Sequence, residues 1–356
     1  MMARTAPRYN EAVRGKWGRG AIATLFAALC YLGYSAPARA DEQFDVGPTP
    51  IVNVHVSRGQ VTIQTWDRPQ VAISADNPPE VHQLAPSEVD PKIPKQLQFA
   101  SDTIPTDRGS VTLPAESFVM PALPGSAHDA IVVPHGSGNM TITIPRGTAM
   151  VVAQVRAGHL TLANYQGVFV AHARGAGVSL NHVSGTGFVE SLRGRVSATD
   201  SSFDRLRVRT ATGNMLFEGC TSHQIQATSA YGSIVYDNGS FEPGLARFES
   251  EHGNVALGVR GNAQIGAHSE SGHVVSSFHD DDAQIQGGPT TQQATVHGGG
   301  PVVTATSKNG SVYLYSGSIN DHPHVRQELS GSARLPMRIA PPPPPPPAAP
   351  RGRPPH

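Results

Sequence analysis

The nine residues "SAYGSIVYD" at 229–237 set a glycine two positions ahead of an apolar residue and then alternate apolar with polar. Alone they describe one strand reached through a turn. The same phrase recurs along most of the chain. With the first apolar residue after each glycine placed in register with Ile234, the column reads Met140, Leu160, Val178, Val196, Met215, Ile234, Val255, Val274, Ala294 and Val312, at spacings of 18 to 21 residues. A second strand precedes each one. Nine positions upstream stand Ile131, Val151, Phe169, Gly187, Leu206, Ile225, Ala246, Ile265, Ile285 and Val303.

Residues two apart share one face of a strand, so each unit offers one apolar face on each of two short strands. Units this short cannot bury such a face alone; stacking gives them one continuous core. The sequence therefore predicts an all-β chain, a parallel β-solenoid (a single-stranded β-helix) of about ten coils. At roughly 4.8 Å per rung the rod would be about 45–50 Å long. An antiparallel sandwich or barrel is the alternative, and the constant length of the corner between the two strands argues against it. Glycine occupies that corner, two before the column, in eight of the ten units, as a turn needing positive φ would require. Ala176 and Gln292 are the exceptions, and looser corners are expected there.

Outside the repeat the chain changes character. Arg14, Lys16 and Arg19 precede an apolar run from residue 21 to about 35, and Ala38-x-Ala40 follows, so residues 1–40 read as a signal peptide cleaved after Ala40. The run is too short to span a membrane. Cys30 follows Leu29, where a lipoprotein signal needs a small residue, which leaves Cys220 alone in the exported chain, without a disulfide partner. Residues 41–74 contain one coil, with Val52 and Val54, then Gly59, Val61 and Ile63 at the same offsets. From 75 to 129 prolines break the register, an excursion that either covers the solenoid or binds something, with "GSVTL" at 109–113 a candidate irregular coil. Regular repeats occupy 130–316. Residues 317–356 read as a disordered Pro-rich tail, with seven prolines at 341–347.

The phrases "GQVTIQTWDRPQVAIS" at 59–74 and "ITIPRGTAMVVAQVRAGHLTLANYQGVFVAHARGAGVSL" at 142–180 resemble a bacterial family of exported proteins, the putative-adhesin family built on a β-strand-repeat domain of unknown function. The resemblance spans about 50–315. It implies a β-solenoid at the cell envelope, periplasmic or on the cell surface, with no established catalytic residues.

Stacked coils bring distant residues together, and the register gathers Glu249, Glu251, His252, His268, Glu270 and His273 at one corner. Paired carboxylates would suit glycoside hydrolysis, and Glu251, His252, Glu270 and His273 could hold a divalent metal. A solvated polar corner accounts for the same residues. Outward positions carry a different signal. Leu216, Val235, Ala256 and Val275 form an apolar stripe across successive coils, and Val132, Val152, Val170 and Phe188 form another on the other strand. Such stripes mark either contact surfaces, self-association included, or ground covered by the excursion or the tail. Lys+Arg and Asp+Glu balance at 27 each, giving no overall charge to attract nucleic acid. No cofactor motif is present. The expected function is surface contact in the envelope with a protein or polysaccharide, without catalysis; a carbohydrate-active enzyme using the Glu/His corner is the rival.

Overall fold

The computed structural model describes residues 41–332 apart from 90–92, 100, 107–108, 126 and 279–281. The architecture is all-β and solenoid-like, with strands rich in Val, Ile and Thr pairing in parallel, in register, rung upon rung. Ten rungs stack in the order of their column residues: Met140, Val61, Leu160, Val178, Val196, Met215, Ile234, Val255, Val312, Val274. The preceding strands stack in the same order, from Ile131 and Val52 through to Val303 and Ile265. Every column residue is buried, and the inward residues form one continuous core.

The order of stacking is not the order of the sequence. The strands Ile51–Val56 and Gly59–Trp66 slot between the first two rungs of the main repeat. At the far end Val302–Ser307 and Val312–Ser316, the last strands among the described residues, slot between the rungs of Val255 and Val274. The unit expected at Ala294 is not a rung. Its strands Ala283–Gly287 and Thr291–Val296 form an antiparallel hairpin, laid antiparallel against Ala263–Ser269. The opposite end is closed likewise, by Gln70–Ala75 on Met140–Pro145 and His82–Leu84 on Ala130–Gly136. Closure has a physical cause: an open end would present unpaired N–H and C=O groups to any passing strand.

The corner glycines have a different cause from the one expected. Gly59, Gly138 and Gly158 do have positive φ, but Gly194, Gly213, Gly232, Gly253, Gly272 and Gly310 do not. A Cβ on Gly232 would collide with the Gly213 carbonyl, and one on Gly272 with the Gly310 carbonyl. Glycine is needed because each corner rests on the carbonyl of the rung beneath. The clash at Gly272 points to Gly310, which is 38 residues later, and so follows the permuted order. Buried hydroxyls complete the corner: Ser250 Oγ donates to the Gly232 carbonyl (2.9 Å), Ser307 Oγ to Gly253 (2.8 Å) and Ser269 Oγ to Gly310 (2.8 Å).

Two further expectations are corrected. "GSVTL" is no coil: Gly109–Leu113 pairs antiparallel with Asp102–Thr106. The second corner, which sequence left uncharacterised, turns through left-handed residues, with Asn164, His182, Asp200 and Asn238 at φ of 54°, 54°, 47° and 51°. These are side chains that tolerate that conformation. Within the tail, residues 319–332 are ordered rather than disordered. A 3-10 turn, Ile319–Asp321, leads into a helix, Pro323–Ser332, because Val325 and Leu329 make an i, i+4 apolar edge and Pro323 suits a first helical position. The signal segment and the proline run lie outside the described residues.

Candidate functional site: the corner and its two flanking faces

Both apolar stripes are covered by the chain itself. On one strand face, Val132, Val152, Val170 and Phe188 pack beneath Leu84, Val89, Leu97, Phe99 and Phe118 of the excursion. Phe99 stacks on Phe188 with ring centroids 3.7 Å apart. On the other, Val235 and Ala256 are buried with Tyr313, Val325 and Leu329, and Leu216 and Val275 are packed against that cluster. Tyr313 stands between Ala256 and Val275 because its rung is inserted there. The contact stripe therefore lies under the C-terminal helix rather than open to a partner.

Charge fastens the excursion. Rungs stack His172 on Glu190 and Glu190 on Arg209. The His172 Nδ1 lies 2.7 Å from Glu190, and the Arg209 guanidinium forms an ion pair with the same carboxylate. From the excursion, Glu116 pairs with Arg207 at 2.8 Å and faces Arg209 at 3.6 Å, while Arg209 donates to the Pro114 carbonyl at 2.6 Å. Burial pushes the Glu190 carboxyl up, but the partners His172 and Arg209 outweigh burial and hold it below the ordinary carboxylate value. The outward polar positions of the repeat carried this network in plain view; only the stacking order and the excursion's path were needed to assemble it.

The helix is fastened at its start by Asp237. This carboxylate accepts from the Ile319 N–H (2.7 Å), Tyr315 Oη (3.1 Å) and Ser318 Oγ (3.3 Å). Burial pushes Asp237 up, opposed by those hydrogen bonds.

The predicted Glu/His corner is divided. The inserted rung places Lys308 between Glu251 and Glu270, since the Lys308 N–H bonds the Ser250 carbonyl and the Glu270 N–H bonds the Ser307 carbonyl. Lys308 Nζ donates to Glu251 at 2.8 Å. Thr306 likewise separates Glu249 from His268. His252 stacks on Tyr231, at 4.3 Å between centroids, away from His273. Two carboxylates on adjacent rungs, the arrangement that glycoside hydrolysis would use, are not formed by Glu251 and Glu270. Among the described residues no three His, Cys, Asp or Glu side chains are grouped to hold a metal ion. Cys220 is buried, and burial pushes its thiol up to about 11, far from a reactive thiolate.

What the covers leave open is polar. The outward row of the column strands runs Thr141, Thr62, Thr161, Ser179 and Ser197 over five successive rungs, all partly exposed. Ser179 Oγ bridges Ser197 Oγ at 3.0 Å and His159 Nε2 at 2.9 Å. No helix among the described residues is long and apolar enough to cross a membrane.

A solved structure, that of a putative cell adhesion protein from Clostridium sporogenes ATCC 15579, is similar at 9% identity over 80% of this chain and all of that one, with a TM-score of 0.25. No curated protein matches the chain. The profile of the Toastrack DUF4097 family matches residues 110–314, more than half of the 356. The chain belongs to the Toastrack DUF4097 family, a domain of unknown function.

Proposed function

We propose that this protein is exported and works by surface contact in the cell envelope, without catalysis, binding a polysaccharide or a protein partner. One observation carries the reading. The chain seals both of its apolar stripes with its own segments and leaves an uninterrupted row of hydroxyls on five rungs. A regular lattice of short polar side chains on a rigid stack suits an extended partner better than a small substrate, which needs a concave pocket. Export rests on the signal-like segment before Asp41.

The test is retention of solubilised envelope fractions on the immobilised protein, with Thr62→Glu/Thr161→Glu/Ser179→Glu beside the wild type. Wild type should retain envelope material and the variant should not, with circular dichroism unchanged. Equal retention by both removes the hydroxyl row from the reading. Glycan turnover that Glu251→Gln/Glu270→Gln abolishes would overturn the non-catalytic reading altogether.

A further inference from the structure

The balanced net charge conceals a polarised corner. Read in stacking order, the four residues before each column position are "SRGQ" at 57–60, "RAGH" at 156–159, "RGAG" at 174–177 and "LRGR" at 192–195. Each of four successive rungs therefore places an arginine at the same corner: Arg58, Arg156, Arg174, then Arg193 with Arg195. No acidic residue occupies any of these sixteen positions. The next two corners, "ATGN" and "AYGS", carry no charge, and Glu251 and Glu270, with Lys308 between, follow beyond them; at the near end Asp76 accepts from the Asn139 N–H, one rung from Arg58. The basic strip is thus confined to one half of the stack.

Its arginines reach the surface to different extents. Arg58, Arg156, Arg193 and Arg195 are exposed and Arg174 is half-buried. Arg193 donates one N–H to the Pro105 carbonyl (3.0 Å), and Arg58 and Arg195 make no side-chain hydrogen bond or ion pair among the described residues. The neighbouring imidazole senses the field. His55 lies below its ordinary value, first through burial and then through His135, Arg156 and His172. The buried carboxylate of Glu190 is paired with Arg209 and lies beside His172.

We infer that this arginine strip binds a carboxylated polysaccharide laid along the stack. Four rungs at roughly 4.8 Å put the strip at about 14 Å, the reach of a few sugar units rather than of one ion. Guanidinium forks hold carboxylates bidentately, and repetition along a rigid line multiplies weak contacts. The hydroxyl row Thr62, Thr161, Ser179 and Ser197 runs on the same four rungs, one position past the column, so charge and hydroxyl partners are offered side by side. That pairing fits a polymer carrying both carboxylates and hydroxyls. Nucleic acid fits less well, because none of the sixteen corner residues is Phe, Tyr or Trp and bases would have no stacking platform.

This inference rests on the surface-contact reading and names its ligand class. The experiment measures binding of the full chain, purified after export, to polygalacturonate, to neutral dextran and to a single-stranded oligothymidylate. Polygalacturonate should bind, weaken with added salt, and lose about tenfold in affinity in Arg58→Ala/Arg195→Ala, the loss of two charge-assisted contacts. Those two arginines have no partner to orphan, so folding is preserved, and thermal unfolding verifies it. Dextran should not bind, and Glu251→Gln on the opposite half should match wild type. Unchanged affinity in the double arginine variant overturns the inference, as does oligothymidylate binding at equal or greater affinity. If polygalacturonate fails while envelope fractions are still retained, only this inference falls; if both fail, the surface-contact reading falls with it.

Discussion

At the N-terminal end of the stack, part of the excursion lies over Val132, Val152, Val170 and Phe188 and is tied down by Glu116, Arg207, Arg209 and Glu190. At the C-terminal end, the helix Pro323–Ser332 lies over Val235, Ala256 and Tyr313, and Val325 and Leu329 hold it in place. The geometry is otherwise parallel. In both halves a terminal segment is inserted one rung inside the end, the end rung is closed by antiparallel strands, and an apolar outward stripe is covered. The fasteners differ because the covers differ. A helix brings an apolar edge at i, i+4 and buries it directly. The excursion consists mostly of two short hairpins, Gln96–Phe99 with Glu116–Val119 and Asp102–Thr106 with Gly109–Leu113, which do not join the main sheet. Side chains alone must attach those hairpins, and the half-buried Glu116, facing the buried Arg209 of the stack, can then fix their position.

The comparison is broken most forcefully at Arg209. Arg209→Ala leaves Glu190 buried with only His172 beside it and removes the cation facing Phe99 and Phe188. Breaking a buried pair from one side costs about 3–5 kcal/mol. Urea unfolding should show that loss, and limited proteolysis should cut within 93–121 first. Cleavage confined to the C-terminal helix would contradict the assignment of fasteners. The corresponding change at the other end is smaller. Leu329→Ala removes one buried side chain from a cover near the chain's end, about 2–3 kcal/mol at most. It should loosen the helix locally, seen as faster amide exchange at 323–332, and leave the excursion protected.

Acid should separate the two covers by sign. Glu190 sits below its ordinary value when folded, so its contribution is present above the unfolded value and is lost as pH falls through the folded one. Asp237 sits above its ordinary value, so the folded state favours its proton, and its contribution is lost as pH rises instead. Moving from pH ~7 to ~3.5, across the ordinary carboxylate range, should therefore lower exchange protection in the excursion. Over the same interval the turn at Ile319–Asp321 should keep its protection or gain some. A parallel loss at both covers, with the stack intact, would count against the two carboxylates as separate fasteners.

Much of this was legible beforehand, and the residues explain what was not. The column from Met140 to Val312 followed from period-two alternation and a corner of fixed length, both local properties. Membership of the stack was misread at Ala294, counted as a rung, and at "GSVTL", offered as an irregular coil, whereas Val61, read as the N-terminal coil, is one of the ten rungs. Ala294 satisfies the inward pattern equally well in a capping hairpin, where it is buried against Ile265, so alternation cannot separate the two uses. Stacking order was hidden for a related reason. Every rung presents the same face to its neighbours, and nothing in a 19-residue pattern states which edge a terminal strand will join. The Glu251 and Glu270 pairing failed through this, and the covered stripe at Val235 was readable only as a choice between cover and contact. The excursion's "QLQF" at 96–99 alternated clearly, and its apolar side chains Leu97 and Phe99 are the ones now found on the stripe.

The inserted rung allows a smaller and sharper test. Lys308 stands between Glu251 and Glu270, and the salt bridge it makes to Glu251 is exposed, so removing it alone should leave the unfolding midpoint nearly unchanged. Lys308→Glu is more informative. In the permuted order it would align three carboxylates on successive rungs about 4.8 Å apart, close enough to repel and to be bridged by a hard cation through oxygen ligands. The midpoint should fall slightly, and calcium at millimolar concentration should restore it in the variant while leaving wild type unmoved. In a stack that followed the sequence, residue 308 would not lie between those glutamates; Glu251 and Glu270 would already be adjacent, and calcium would act on wild type and variant alike. The weakest substitution considered thus distinguishes the two orders directly, because its effect depends on which rung lies next to which.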